Sequence, residues 1–475
     1  MTEFMVMMLG VLYGLVVGII PAAGATTGLV AVFGFLHLFS DPYLAVIFCM
    51  AVVAASTTGD SITGIMLGIP GANSAAATVV DGFPLAQQGK ASYALSAAIT
   101  TSTINGLLWG SLVFFFLPYY TKLVMYFGIP ELWAFTVFAF ACVVFISSNN
   151  WVRSLIALSI GVFLGMVGTD PNTAGARYTG GWFYLEDGIQ LMPLVAGLFA
   201  IPELIAGLKR GQTSWIQFGV NQRPDGIRAV WQNKWLALRG GFIGAFVGML
   251  PALGGAVADW IAYGQAVATN PNEKFGNGNI KGVIGAEGAN NAQKATSMLP
   301  TVLFGIPGAS FAAVLMGLFS YLNFELGSID LFYDEKFFSS LTYGFMYGSI
   351  IVALICLWGM GLIHSIAHIP YRYYFPFLVA FIVWSCVQYT GGWEDYVMLA
   401  LASVLGLLCK NYKFSRPALL IGFILSGRIE SLSIQMTSLY GFESVIDRPI
   451  FVTLVLLTLG VLTWGLLRKS QLDYA

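Results

Sequence analysis

Charge is what this chain has least of. Asp, Glu, Lys and Arg make up 9% of its 475 residues, where an ordinary soluble domain carries roughly 25%. So few charges cannot solvate the surface of a water-soluble protein of this length. The two signs nearly cancel, 22 basic residues against 23 acidic, so no overall field draws in nucleic acid. Cysteine is scarce too. Cys49, Cys142, Cys356, Cys386 and Cys409 stand singly in apolar segments without a C-x-x-C pair. That argues against disulfides and thiolate metal sites, and for buried, inert thiols. His364 and His368, four apart, could share a helix face as metal ligands. Pro370, Arg372 and the tyrosines beside them favour a membrane-interface belt instead. A phosphate loop around Lys90 would need Gly at position 84 and Ser or Thr at 91, where the chain has Pro84 and Ala91. No nucleophile–base or paired-carboxylate set stands out, so nothing points to an enzyme, a cofactor or a bound metal.

Apolar residues fill the space that charge leaves. They make up 57% of the chain, and the mean hydropathy is +0.78. Many stretches run for about 18–20 residues almost without charge, the length that crosses a hydrocarbon core. Their centres include Ala45–Ala55, Thr101–Pro118, Leu155–Gly168, Met346–Ile363, Met398–Leu408 and Phe451–Leu467. The runs do not alternate as barrel strands do. They predict an all-α polytopic membrane protein of roughly 10–12 transmembrane helices. The N-terminal run lacks the basic start of a signal peptide and reads as a first span. Gly10, Gly14 and Gly18 give that span a smooth face for close packing.

One long polar stretch, 208–239, divides the chain into a first repeat, 1–207, and a second, 240–475. It holds Lys209, Arg210, Arg223, Arg228, Lys234 and Arg239 against the single acid Asp225, which predicts a cytoplasmic loop. The start of the chain, with Glu3 and no base, then lies outside, and an odd number of crossings precedes the loop. Arg468 and Lys469 put the tail in the cytoplasm. The halves echo one another. "GIIPAAGA" at 18–25 resembles "GMLPALGG" at 248–255, with Gly18/Gly248, Pro21/Pro251 and Gly24/Gly254 at one offset of 230. "GIPGA" at 68–72 recurs at 305–309 with an offset of 237, followed by Ala75/Ala312 and Ala76/Ala313. Two motifs repeated in one order read as a duplication, and an odd number of crossings per half inverts the second copy.

Each motif breaks a helix where hydropathy asks for a continuous one. Proline removes a donor, glycine frees the backbone, and the orphaned amides and carbonyls survive at membrane depth only inside protein or beside a watery cavity. Paired breaks of this kind mark transport sites, although a plain kink or interfacial turn has the same local sequence. Around the first break stand Ser56, Thr57, Thr58, Gly59, Asp60, Ser61, Thr63, Gly68, Pro70, Gly71, Asn73 and Ser74. Around the second stand Glu287, Asn290, Asn291, Gln293, Lys294, Thr296, Ser297, Gly305, Pro307, Gly308 and Ser310. Asp60 reads as a cation- or proton-coupling group, or else as a helix-end acid at the interface. Asp259, eight residues past Pro251 on what should be a buried half-helix, reads as an ion-binding group, or else as one facing the interface or lining the cavity. Asn290 and Asn291 can serve ion or substrate. Lys294 could pair with a substrate carboxylate, but its position favours snorkelling to the interface.

"GIIPAAGATTG", "GDSITGIMLGIPGANSAAATVVDGFPLAQQGKA", "GTDPNTAGARYTGG", "LEDGIQLMPLVAGLFAIPEL", "GMLPALGGAVADWIAYG" and "AEGANNAQKATSMLPTVLFGIPGAS" together resemble the large membrane subunit of tripartite tricarboxylate transporters, the TctA type. The match runs in order from about residue 10 to about residue 320. The resemblance implies a bacterial inner-membrane importer of a di- or tricarboxylate, driven by a Na⁺ or H⁺ gradient. It implies a periplasmic solute-binding protein and a small four-span membrane subunit as partners. It also implies a two-hairpin, inverted-repeat fold. Its site would lie at Gly59–Asn73 and Asn290–Ser310, with hairpin tips at Pro21, Gly24 and Thr26 and at Pro251 and Gly254 beside it. Asp60 and Asp259 depart from the family, which commonly has small or uncharged residues there. A channel, or a small-anion transporter working without a binding protein, is the alternative. A channel would need rings of pore-lining charge, and the two breaks are too unlike in polar content for that.

Overall fold

A computed structural model describes residues 2–20, 24–146, 150–170, 173–210, 222–251, 253–361, 371–387 and 392–472. Among them the only strand pairing is a two-residue ribbon, Gly168–Thr169 with Ala176–Arg177, and nearly everything else is helical. The chain is an all-α polytopic membrane protein. Six described helices have the length and hydropathy to cross a bilayer: Pro42–Leu67, Ala91–Phe114, Leu191–Leu208, Glu335–Trp358, Arg416–Leu439 and Pro449–Leu467. Six shorter apolar helices of 10–17 residues accompany them. Protein covers 83% of the apolar window of Pro42–Leu67 but only 6% of that of Pro449–Leu467. The first is therefore the axis of the bundle. The second presents Leu456, Leu457, Leu459 and Leu467 outward, as a lipid-facing helix does. All five cysteines are free and buried, as expected of inert thiols.

Ten helices build the central region and are numbered here in chain order. They are α1 (Glu3–Ile19), α2 (Gly24–Val32), α3 (Pro42–Leu67), α4 (Ala76–Gln87), α5 (Ala91–Phe114), α6 (Lys234–Met249), α7 (Gly254–Thr269), α8 (Ile280–Phe304), α9 (Ser310–Tyr321) and α10 (Arg416–Leu439). The two longest central helices share a grammar. α3 starts on Asp41, whose carboxylate accepts the Tyr43 amide at 3.0 Å. α8 starts on Asn279, whose side-chain oxygen accepts the Lys281 amide at 3.0 Å. α3 stops at Gly68 (φ 66°) and α8 at Gly305 (φ 58°), both left-handed, a conformation that glycine adopts without steric cost. In each case Ile-Pro-Gly follows and prevents the helix from resuming at once.

α1 and α2 form a helical hairpin, with the Tyr13 hydroxyl of one donating to the Gly28 carbonyl of the other at 2.9 Å. α6 and α7 form a second. The glycine ridge of α1 lies on α3. A Cβ on Gly10 would sit 2.8 Å from the Phe48 carbonyl oxygen, and one on Gly14 2.7 Å from that of Val52. A Cβ on Gly18 would collide with the Ser56 carbonyl. The ridge of α6 lies on α8 in the same way. A Cβ on Gly240 would sit 2.7 Å from the Gly285 carbonyl oxygen, one on Gly244 would collide with the Ala289 backbone, and one on Gly248 would sit 2.6 Å from the Gln293 carbonyl oxygen. Each of these three ridge contacts in the first half thus has a counterpart in the second at the offsets the motifs carry. Small residues let these backbones approach, which is how helices associate in a medium as apolar as their own side chains.

After each break the chain re-enters alongside the helix it left. On α4, Val79 packs at Gly64 and Phe83 at Gly68 of α3, so α3 and α4 run parallel. α3 and α8 run antiparallel. The end of α8 lies by the start of α3, where Gly327 donates to Val302 at 2.9 Å and Tyr43 donates to Asp334 at 2.9 Å. The start of α8 is tied to α4 through Asp81 and Asn279, 2.8 Å apart. The stretch 208–239 is not one loop. Residues 211–221 lie outside the described residues, Arg223–Gln232 is a helix packed on α5, and Lys234 already opens α6. The density of basic residues reads as loop in one dimension, yet Ala229 and Val230 are buried and give the segment a packed face. His364, His368 and Pro370 also lie outside the described residues.

Candidate functional site

The antiparallel crossing of α3 and α8 brings the two polar clusters together. The Lys294 ammonium lies 3.6 Å from Asp60 Oδ2, with side chains 5% and 0% exposed. This corrects the expectation that Lys294 snorkels. Its helix runs through the middle of the protein, so no interface is within reach. Nor is Asp60 a helix-end acid, since it lies a full two turns inside α3. The Asn290 amide donates to Ser61 Oγ at 3.4 Å and to Glu287 Oε2 at 3.3 Å. Thr78 of α4 donates to Glu287 Oε1 at 2.7 Å. Asp259, on α7, is 1% exposed and lies within electrostatic reach of Glu287, Lys294 and Asp60.

The breaks supply the walls. The Gly71 amide donates to the Asp60 carbonyl at 3.4 Å, and a Cβ on Gly71 would lie 2.6 Å from Asp60 Oδ1. Its counterpart Gly308 abuts Ser297, and its amide donates to the Thr301 hydroxyl at 3.1 Å. The hairpins close on these turns. Gly24 (φ 58°) opens α2 beside Ala72. Gly254 (φ 69°) opens α7 and donates to the Gly308 carbonyl at 3.4 Å. Gly255 fits against Ser74 and Gln293. Four helices, α2, α4, α7 and α9, therefore begin around one region. α4, α7 and α9 begin without a side-chain cap.

Many buried polar atoms here have no hydrogen-bond partner. They include both carboxyl oxygens of Asp60 and of Asp259, Lys294 Nζ, Asn290 Oδ1, Thr58 Oγ1 and the whole side-chain amide of Gln293; the expected site residue Asn291 turns its unpartnered amide to Gly106 of α5 instead. Protein interiors hydrogen-bond nearly all such groups, so a cluster of exceptions marks a place built to meet water, ions or a ligand. A lysine and uncapped helix N-termini suit an anion, and side-chain oxygens suit a cation or a proton.

Some expected residues stand apart. Gly68 packs on Phe83, and Gly305 packs near Arg428 and Leu326. Each lies eight residues, about 12 Å of helix, beyond Asp60 and Ser297 respectively. Thr63 spends its hydroxyl on the Asp60 carbonyl, 3.0 Å away. Thr26, Pro70 and Ser310 are half-buried, and Pro251 and Pro307 are buried in the turns. Pro21 lies outside the described residues, and of Asn73 only the backbone is described. Thr78 was missed by sequence reasoning. Glu287 and Gln293 were noted only as polar neighbours. Periodicity holds a signal for two of the three, because Glu287 and Gln293 each lie three residues, about one helical turn, from Asn290. Thr78 belongs to the re-entrant helix, which carries no such pattern.

A polytopic helical protein whose re-entrant breaks and hairpins converge on a cluster of buried, unpartnered polar groups falls in the class of membrane transporters. More specifically, the chain belongs to the tripartite tricarboxylate transporter TctA family, whose sequence model matches residues 4–421. It is 28% identical over 434 residues to an uncharacterized 52.8 kDa protein in the TAR-I ttuC' 3' region of Agrobacterium vitis, covering 89% of this chain and 84% of that one. It is 29% identical over 189 residues to an uncharacterized protein in the TAR-II ttuC' 3' region of the same organism, covering 39% of this chain and 78% of that one. No solved structure matches it.

Proposed function

We propose that this chain is the translocating subunit of a secondary importer in a bacterial inner membrane. In this reading a periplasmic binding protein delivers a di- or tricarboxylate, a small four-span subunit completes the membrane complex, and an ion gradient drives uptake. The observation that carries it is the buried Lys294, which makes no hydrogen bond, in the region where the uncapped helices α4, α7 and α9 begin. Such a set binds a carboxylate by charge and dipole without a catalytic group. Family membership supports the tripartite arrangement. The antiparallel run of α3 and α8, with their matched glycine ridges, supports an inverted duplication and hence two faces that open in turn.

Reconstitution of the large and small subunits in liposomes tests this. Uptake of labelled citrate or succinate is expected only with an imposed ion gradient and added binding protein. Full uptake without the binding protein contradicts the tripartite part. Uptake that equilibrates at the same rate with and without a gradient contradicts the secondary-transport part.

A further inference from the structure

The chamber's charges do not balance. Asp60 of α3, Asp259 of α7 and Glu287 of α8 face one ammonium, Lys294, and all four residues are at most 4% exposed. α1 and the first break meet this turn of α3 with glycine backbone alone, Gly18 beside Gly59 and Gly71 beside Asp60. The titratable groups around Asp60 are thus Lys294, Glu287 and Asp259. Glu287 has donors on both oxygens, from Thr78 and Asn290. Asp60 has no hydrogen-bond donor on either oxygen, and its counter-charge is Lys294 at 3.6 Å. Lys294 makes no hydrogen bond and has Asp60 as its ion-pair partner.

We propose that Lys294 is shared between Asp60 and the substrate, so that each carboxylate bound places one proton on Asp60. The inference rests on the carboxylate-transport reading and adds its coupling step. In the empty chamber the Asp60 carboxylate balances the Lys294 ammonium. An incoming carboxylate takes Lys294, and Asp60 is left as a buried anion without a cation, a strongly unfavourable state. A proton from the open aqueous face bonds to one Asp60 oxygen and removes that cost. The proton offsets one negative charge of the ligand, so a dicarboxylate brings one net negative charge to the site and a tricarboxylate two. When the carboxylate leaves on the far side, Lys294 returns to Asp60, the O–H bond breaks, and the proton follows the substrate out. A metal ion is a poor substitute at Asp60, because it would meet the ammonium's own positive charge. By linkage, acid tightens substrate binding to the extent that substrate binding takes up protons.

Calorimetry of the purified protein tests this. Citrate and succinate are titrated at pH 7.5, where both are almost fully ionised, in buffers of different ionisation enthalpy. The slope of heat against buffer enthalpy counts the protons taken up. About one proton per ligand is expected for the wild type, and none for Asp60→Asn with binding retained. A wild-type count of zero overturns the proposal whether or not the variant folds. So does an unchanged count in Asp60→Asn. Absence of binding by either acid ends the carboxylate reading itself, and the coupling step with it.

Discussion

At the scale of single residues, the Asp60–Lys294 pair sets the behaviour of the chamber. A buried pair broken on one side leaves an uncompensated charge, at a cost of about 3–5 kcal/mol. Lys294→Ala is expected to lower thermal stability more than the double variant Asp60→Ala/Lys294→Ala, which strands neither charge. Unfolding midpoints of the single and double variants in one detergent check this, and equal losses contradict it. Lys294→Gln keeps donors but loses the charge. It is expected to cut carboxylate uptake at least 100-fold while leaving the protein folded by size-exclusion profile. The chemistry of this pair was only half legible in the sequence. Asp60 and Lys294 each stood out as rare charges in apolar surroundings. Their partnership did not, because the two are 234 positions apart in the chain and only the antiparallel crossing joins them.

At the scale of elements, the account rests on breaks, hairpins and the strap that holds them. Asp81, on the re-entrant helix α4, is fully buried. Its Oδ1 accepts the amides of Gly276, Gly278 and Asn279 at 2.8, 3.0 and 2.8 Å, and the Tyr263 hydroxyl donates to Oδ2 at 3.0 Å. One carboxylate thus anchors the 270–279 turn of the second half to the break of the first. Asp81→Ala orphans those amides and is expected to destabilise by about 3–5 kcal/mol, since hydrogen bonds to charged groups contribute roughly 1.5–3 kcal/mol each and do not add fully. Asp81→Asn keeps the Oδ1 acceptor and should cost less. Thermal unfolding of both variants decides, and a milder loss for Ala than for Asn contradicts the anchoring role. Gly14→Leu, which forces a side chain between α1 and α3, should prevent assembly of a stable protein, while Gly264→Leu, on α7 with open space around it, should not. The breaks themselves were plain from Gly-Ile-Pro-Gly-Ala, because proline and glycine act locally. The direction of the chain after each break was not, since a parallel return is set by packing on Gly64 and Gly68. The helix at 223–232 was hidden for the same reason: its buried alanine and valine contacts outweigh a polar composition.

At the scale of the whole molecule, the polar cluster lies where the two breaks and the starts of α2 and α7 converge. Hydropathy and the repeated motifs made the helical membrane fold legible. They also located most of the residues that converge there. They could not show that the fragments share one chamber, because convergence is a property of the assembled bundle. That shared chamber is the central claim, and substrate protection of introduced thiols addresses it directly. Ser74→Cys reports on the first break and Ser297→Cys on the second, in a background whose five native cysteines are buried. Both thiols are expected to react with a small water-soluble thiol reagent in membrane vesicles, and a single transported carboxylate is expected to slow both reactions at the same half-saturating concentration. Protection of one thiol without the other, or of neither by a carboxylate that the vesicles take up, would show that the breaks do not enclose a common site.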